Sequence, residues 1–230
     1  MKLARSLFAV VLFVPLSGAQ AVNLVVVEAR GVAMRVGQTV DSAKPLQLKQ
    51  GQHVTLIAPS GATLKLDGPY DRAPDADQGQ GVALNTMLAA LVTQRQARIG
   101  EVGTTRGLTP NVLPDPWVLD ASRTGTVCLQ EGASAVLWRP NTAGDADVSV
   151  MPSDRSWKAE ARWPSGADRM TIATQVPIKG GATYFVTLAG TQSAMTVATV
   201  PAVLANDSMR AAWMAEKGCE SQAEALLRPR

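Results

Sequence analysis

A chain of 230 residues with 46% hydrophobic and 18% charged side chains has the composition of a folded protein, which excludes a disordered chain as a whole. Its formal charge of +3 falls to +1 once Lys2 and Arg5 of the leading segment are set aside, so the basic balance is no argument for a nucleic-acid partner. No lysine or arginine cluster interleaved with aromatics supplies such a face either, and nucleic acid is excluded as the expected partner.

Residues 1–21, MKLARSLFAVVLFVPLSGAQA, combine a basic start, an apolar run from Leu7 to Leu16 and the small-x-small sequence Ala19-Gln20-Ala21. This three-part pattern predicts a secretory signal cleaved before Val22. The apolar run is shorter than the roughly 20 residues a membrane span requires. Leu16-Ser17-Gly18-Ala19 has alanine where a lipid-bearing cysteine would have to stand, so no lipid anchor is expected. The expected location is periplasmic or secreted, with no integral membrane span after cleavage.

Residues 22–70 predict a small β-domain: LVVVEA, VAMRV, LQLK, HVTLIA and ATLKL are short apolar runs separated by Gly31, Gly37, Gly51 and Gly61. Val54, Leu56 and Ala58 alternate before Pro59-Ser60-Gly61, and Leu64 and Leu66 alternate after it, the pattern of a hairpin. The succession of a glycine-led strand, a G-x-x-V step and a hairpin closing before Gly68-Pro69 resembles the FecR-like domain of bacterial envelope sensors. That resemblance implies a β-fold working in the envelope, as a sensor partner of a membrane receptor. Such sensors carry a cytoplasmic segment and a membrane helix ahead of this domain, where this chain carries a signal segment.

Residues 71–110 predict a linker followed by an amphipathic helix. DRAPDADQGQG is polar with proline and glycine, and VALNTMLAALVTQRQARI then places Leu84, Met87, Leu88, Leu91 and Val92 on one helical stripe. From residue 111 to 204 the short runs TVCLQ, AVLW, VSVM, KAEARW, MTIATQVPI, TYFVTLA and AMTVATV recur at close intervals, which predicts a β-sandwich. In VPIKGGATYFVTLAG, Tyr184 enters a strand after a glycine turn and resembles the tyrosine corner of immunoglobulin-like folds. Val186 stands where antibody-type domains carry a cysteine, so their intersheet disulfide is excluded. The expected fold class is mainly β: a small N-terminal β-domain, an amphipathic helix, then an immunoglobulin-like β-sandwich with a C-terminal helical tail over residues 205–230.

In that tail Asp207 and Ser208 are expected caps of a first helix with Met209, Ala212 and Trp213 on one face, and Gly218 permits a bend. Cys219, Ala223, Leu226 and Leu227 then share a stripe. An exported chain with two cysteines has one intramolecular pairing to make, Cys128 with Cys219. Closing a loop of 92 residues would stabilise the chain by roughly 4 to 5 kcal/mol.

Candidates for chemistry are few. His53 is the single histidine, expected at a strand edge with solvent or backbone contacts, and GASAV lacks the closing glycine of a nucleophile elbow. One histidine and two paired cysteines cannot build an ordinary zinc site, and Asp75 and Asp77 lack the further acidic ligands of a calcium loop, so neither cofactor nor metal is expected. Asp115, Glu131 and Glu160 are the carboxylates a hydrolase would have to use. LWRP and ARWP set tryptophan beside arginine or proline, which makes Trp138, Arg139 and Trp163 a candidate binding surface, core burial being the alternative use of the same rings. The expectation is a non-catalytic exported interaction module whose partner is an envelope protein. An exported hydrolase dependent on carboxylates is the alternative.

Overall fold

The computed structural model of the protein describes residues 21–74 and 113–228. Nearly all of the expected signal segment, Asp75 and Asp77, and the amphipathic helix of residues 82–99 lie outside the described residues. The described chain is mainly β, with three sheets and two helices at its C-terminal end.

The first sheet has strand order β2-β1-β3-β4, from β1 (Asn23–Arg30), β2 (Thr39–Asp41), β3 (His53–Ile57) and β4 (Thr63–Asp67). The expected hairpin is present, Leu56 opposite Leu64 and Ile57 opposite Thr63, turning at Gly61 with φ +85°. VAMRV is not a strand. Gly31 and Gly37 both take positive φ, and the segment between them instead drops Val32 and Met34 onto the sheet from a loop. LQLK makes only an isolated bridge, Leu48 with Tyr70. The runs LVVV and VTLI are buried without interruption, Thr55 included, because this sheet is covered on both faces. Leu24, Val26, Val54 and Leu56 pack under the loops of the N-terminal module, while Val25, Val27 and Ile57 face the C-terminal helices.

Two further sheets share one core. The three-stranded sheet has order β10-β7-β5, from β5 (Val118–Asp120), β7 (Val136–Trp138) and β10 (Arg169–Thr171). The five-stranded sheet has order β6-β12-β11-β8-β9, from β6 (Gly125–Gln130), β8 (Ala146–Pro152), β9 (Ala159–Trp163), β11 (Thr183–Leu188) and β12 (Thr191–Val200). Leu119 and Leu137 of one sheet meet Val127, Val150, Val186 and Val197 of the other. The alternation in ADVSVMP is the signature of that arrangement, with Ala146, Val148 and Val150 buried and Asp147 exposed. Tyr184 closes a corner: its ring is buried, its hydroxyl accepts from Lys179 N at 2.7 Å and donates to Pro177 O at 3.1 Å. Of MTIATQVPI only Met170 and Thr171 lie in a strand, β10. Two pairings are parallel, β5 with β7 and β6 with β12, and they put β5 and β6 at the same open end of the unit.

The tail is bonded to the second module, as expected, and packs on the first as well, so it forms the layer between them. Helix α1 (Asp207–Glu216) buries Met209, Ala211, Ala212, Trp213 and Met214, more than one face. Together with Cys219, Ala223 and Leu226 on α2 (Glu220–Leu227) they form a single cluster with Val25, Val27 and Ile57 of the first sheet and Cys128 and Val200 of the third. The N-cap of α1 is Asn206, whose side chain accepts from Met209 N at 2.9 Å; Asp207, expected as a cap, instead pairs with Arg210 in the first turn. Asn206 also donates to Pro59 O at 3.0 Å, in the turn before β4. A Cβ on Gly61 would stand 3.0 Å from the Ser208 carbonyl oxygen, so glycine serves that turn twice, by its positive φ and by letting the helix approach.

The expected disulfide is formed: Cys128 and Cys219 are bonded with their Cα atoms 5.9 Å apart, and both are buried. Replacing both cysteines by alanine is expected to lower stability by about 4 kcal/mol, from the unfolded-state entropy released over a separation of 91 residues. In hydrogen exchange the loss should fall first on α1, α2 and the β1 amides facing them, with the β8 and β11 amides protected longest. Equal loss across all strands would show that the helices do not join the two modules.

Candidate functional site

At the open end of the two-sheet unit the edges of β5 and β6 lie near each other, and α2 passes across them. The backbone reverses at Gly218, φ +82°, and Cys219 N donates to Met214 O at 2.8 Å, which starts α2 against β6. Three residues on, Gln222 falls on the same helical face as Cys219, a polar residue on a stripe otherwise made of Cys219, Ala223 and Leu226. It is 3% exposed and uses its whole amide. Its Oε1 accepts from Cys128 N at 2.6 Å, and its Nε2 donates to Cys128 O at 2.8 Å, Pro116 O at 2.9 Å and Val118 O at 3.3 Å. The pair of bonds with Cys128 is the one a neighbouring strand would make, so a side-chain amide stands in for a strand at this point of the edge. The bonds to Pro116 and Val118 tie the same amide to β5.

Beside Gln222 is an open cleft of about 240 Å³ whose lining includes Asp120, Arg123, Thr126, Gly218, Ser221 and Gln222. Asp120 closes an Asx turn: its Oδ1 accepts from Ser122 N at 2.9 Å and from Ser122 Oγ at 2.6 Å. Its Oδ2 is buried and has no partner among the described residues. Buried carboxylate oxygens are normally satisfied, so this one marks a place where a donor is wanted. Sequence reasoning named neither Gln222 nor Asp120. A glutamine on an apolar helical stripe, three residues from a bonded cysteine, is the signal that would have found the first.

The candidate binding surface of Trp138, Arg139 and Trp163 is corrected: it is not a surface. Trp163 is wholly buried, Trp138 is 6% exposed and Arg139 is 3% exposed. The alternative use of the rings, core burial, is the one observed. Trp163 is the one buried residue of β9, at the strand's end, where Arg139 lies over its ring at 5.0 Å. Arg139 Nε donates to Ala167 O at 3.1 Å and Nη2 to Pro164 O at 2.7 Å, so the guanidinium holds the 164–168 loop. The indole nitrogen of Trp163 has no partner among the described residues.

The residues considered for catalysis are engaged elsewhere. His53 lies on β3, between β1 and β4, with side-chain partners on both ring nitrogens: Nδ1 to Asp67 Oδ1 at 2.7 Å and Nε2 to Thr55 Oγ1 at 3.1 Å. The expected edge position with solvent or backbone contacts is therefore corrected. Asp115 accepts from Trp117 N at 2.8 Å and pairs with Arg169, Glu131 accepts from Ala202 N at 2.8 Å, and Glu160 pairs with Lys158. Among the described residues no three of histidine, cysteine, aspartate and glutamate gather as a metal site would need. Among the same residues no helix is long and apolar enough to cross a membrane.

Two exposed turns carry shifted carboxyls. Asp145 is held below the ordinary aspartate range, chiefly because Ser165 N donates to it at 2.8 Å, with Arg162 and the charge of Arg139 adding to the effect. Asp154 is lowered by the amide and hydroxyl of Ser156. Arg162 is raised by Asp147 and Asp145.

No family model matches this chain, and no curated protein matches it as a relative.

Gln222→Leu fills the same space but leaves Cys128 N–H and its carbonyl unmet; it is expected to cost about 2 to 4 kcal/mol in urea denaturation with the disulfide intact. A change under about 0.5 kcal/mol would show that water replaces the amide without loss. For Asp145 the sign follows from its lowered folded value: its contribution is present above the unfolded value and lost as pH falls through the folded one. Carboxyl NMR should place its midpoint below 3.8, with the Ser165 amide shifting in step.

Proposed function

We propose that the protein is an exported, non-catalytic interaction module of the cell envelope, periplasmic or secreted, whose partner is another envelope protein. The observation that carries this reading is the buried Cys128–Cys219 bond at the centre of the cluster that joins both modules through α1 and α2. A disulfide placed there forms and persists in an oxidising compartment and makes one stiff body of two β-modules. Such a body suits recognition by a fixed surface.

Within this proposal the first module acts as a FecR-like β-domain and the two-sheet unit as an immunoglobulin-like sandwich. The bonded corner of Tyr184 supports the second assignment, and the hairpin of β3 and β4 is consistent with the first. The functional conclusion does not follow from either likeness; it rests on the oxidised, two-module body and on the structural bonds that occupy His53, Asp115, Glu131 and Glu160.

Crosslinking in intact envelopes, followed by capture of the oxidised chain, is expected to recover one dominant envelope protein, whose binding is lost when the disulfide is reduced. A broad glycosidase and esterase panel is expected to give no turnover. A pH-dependent hydrolytic rate abolished by Glu160→Gln would overturn the reading in favour of the carboxylate hydrolase.

A further inference from the structure

We propose that the partner binds as an extended segment that adds to the free edge of β6 at Thr126, in the cleft beside Gln222; this deepens the interaction reading and rests on it. The five-stranded sheet ends at β6, which pairs with β12 on one side only. In a parallel ladder successive residues turn their backbone groups alternately to the two sides. Cys128 turns its N–H and C=O outward, since both go to Gln222, and Glu131 N turns inward to Val200 O at 3.1 Å. By the same alternation Thr126, two residues before Cys128, turns its N–H and C=O outward. Neither has a partner among the described residues.

The cleft is shaped for backbone. At Cys128 the edge already holds a peptide-like group, because the Gln222 amide gives and takes one hydrogen bond there as a strand would. A segment seated at Thr126 would continue that pairing by one step. Gly125 and Gly218 both line the cleft; a Cβ on Gly125 would meet nothing within 4 Å and one on Gly218 would stand 3.7 Å from Thr126 Oγ1, so the absence of both side chains leaves room for an incoming main chain. Asp120 belongs to the same lining, and its carboxylate charge favours a lysine on the segment over a glutamate.

The remaining sheet edges are guarded in ways that natural β-proteins use against strand addition. Glu160 and Arg162 place charges on β9, with Glu160 paired to Lys158 just before the strand and Arg162 bound to Asp145 and Asp147. On β4, Lys65 is bridged to Glu216 of α1 at 3.0 Å. Strands β2 and β10 are three residues each, and β5 is closed at Val118 by Gln222. Among the described residues, Thr126 is where the β6 edge leaves both an N–H and a C=O without a partner beside the cleft.

The test uses the full oxidised mature chain and the capped pentapeptide VTKVT, followed by amide NMR. The Thr126 amide is expected to move downfield with saturation in the millimolar range and to exchange at least about fivefold more slowly in the complex. Thr126→Pro removes that N–H without removing a ladder bond and should abolish the shift, whereas Thr126→Ala should bind within about twofold of the parent. The parent should prefer VTKVT over VTEVT, and Asp120→Asn, which keeps the turn acceptor, should lose the preference. An unmoved Thr126 amide, or saturable shifts confined to β9 or β4, overturns the proposal. The parent spectrum decides this without the proline variant, should that variant fold poorly. An envelope partner captured equally by the parent and by Thr126→Pro overturns the edge site while leaving the interaction reading intact; no partner for either chain defeats that reading itself.

Discussion

The architecture depends on what is attached to Cys128. Its sulfur is bonded to Cys219, and its backbone N–H and C=O are both bonded to the Gln222 amide, three residues further along the same helix. One residue of an edge strand is therefore held covalently on the face of its sheet and by paired hydrogen bonds along the edge. The two attachments act on different degrees of freedom. The disulfide limits how far the tail can depart in the unfolded chain, and the amide pair sets its register and angle in the folded one. Without the second, the first would tether a helix that could still rock; without the first, a buried amide would have to hold the helix alone against the entropy of a long intervening chain.

From this fixed point the rest follows outward. With α2 held on β6, α1 is carried under the first sheet, where Trp213 and Met214 meet the cluster shared with Val25, Val27 and Ile57. Burial on both faces makes the first sheet hold in spite of its small size, because four short strands alone could not cover their own apolar surface. Asn206 and Gly61 then bring the hairpin turn against the start of α1. The helices are thus the common wall of two cores, and a perturbation at Cys219 reaches the N-terminal strands without crossing the core of the two-sheet unit.

The same arrangement explains where a free edge is left. Covering β6 at Cys128 consumes the one amide that α2 offers there, and the chain reversal at Gly218 keeps the preceding turn from closing over Thr126 with a side chain of its own. Other buried polar groups, such as the Tyr184 hydroxyl and the Arg139 guanidinium, are satisfied by local partners, while the indole nitrogens of Trp163 and Trp213 have none among the described residues. Asp120 Oδ2 also lacks a partner among the described residues, and Asp120 is a residue of the cleft beside Thr126.

Several of these features were legible in the residue order. Alternation located β3, β4, β8 and β11, the glycine turn before Tyr184 predicted its bonded corner, and the count of two cysteines left one pairing to make. Those signals are local or combinatorial, so they need no knowledge of what packs where. VAMRV misled because two positive-φ glycines bend it away from a ladder its side chains would have suited. Trp138, Arg139 and Trp163 could be read as platform or core, since period two says which residues share a face but not which face meets water. The double role of the tail, the pairing of Gln222 with Cys128 across 94 positions, and the unpaired edge at Thr126 were decided by tertiary structure alone. Each depends on which distant backbone groups remain after every nearer partner has been taken, and that is a property of the assembled fold rather than of any window of sequence.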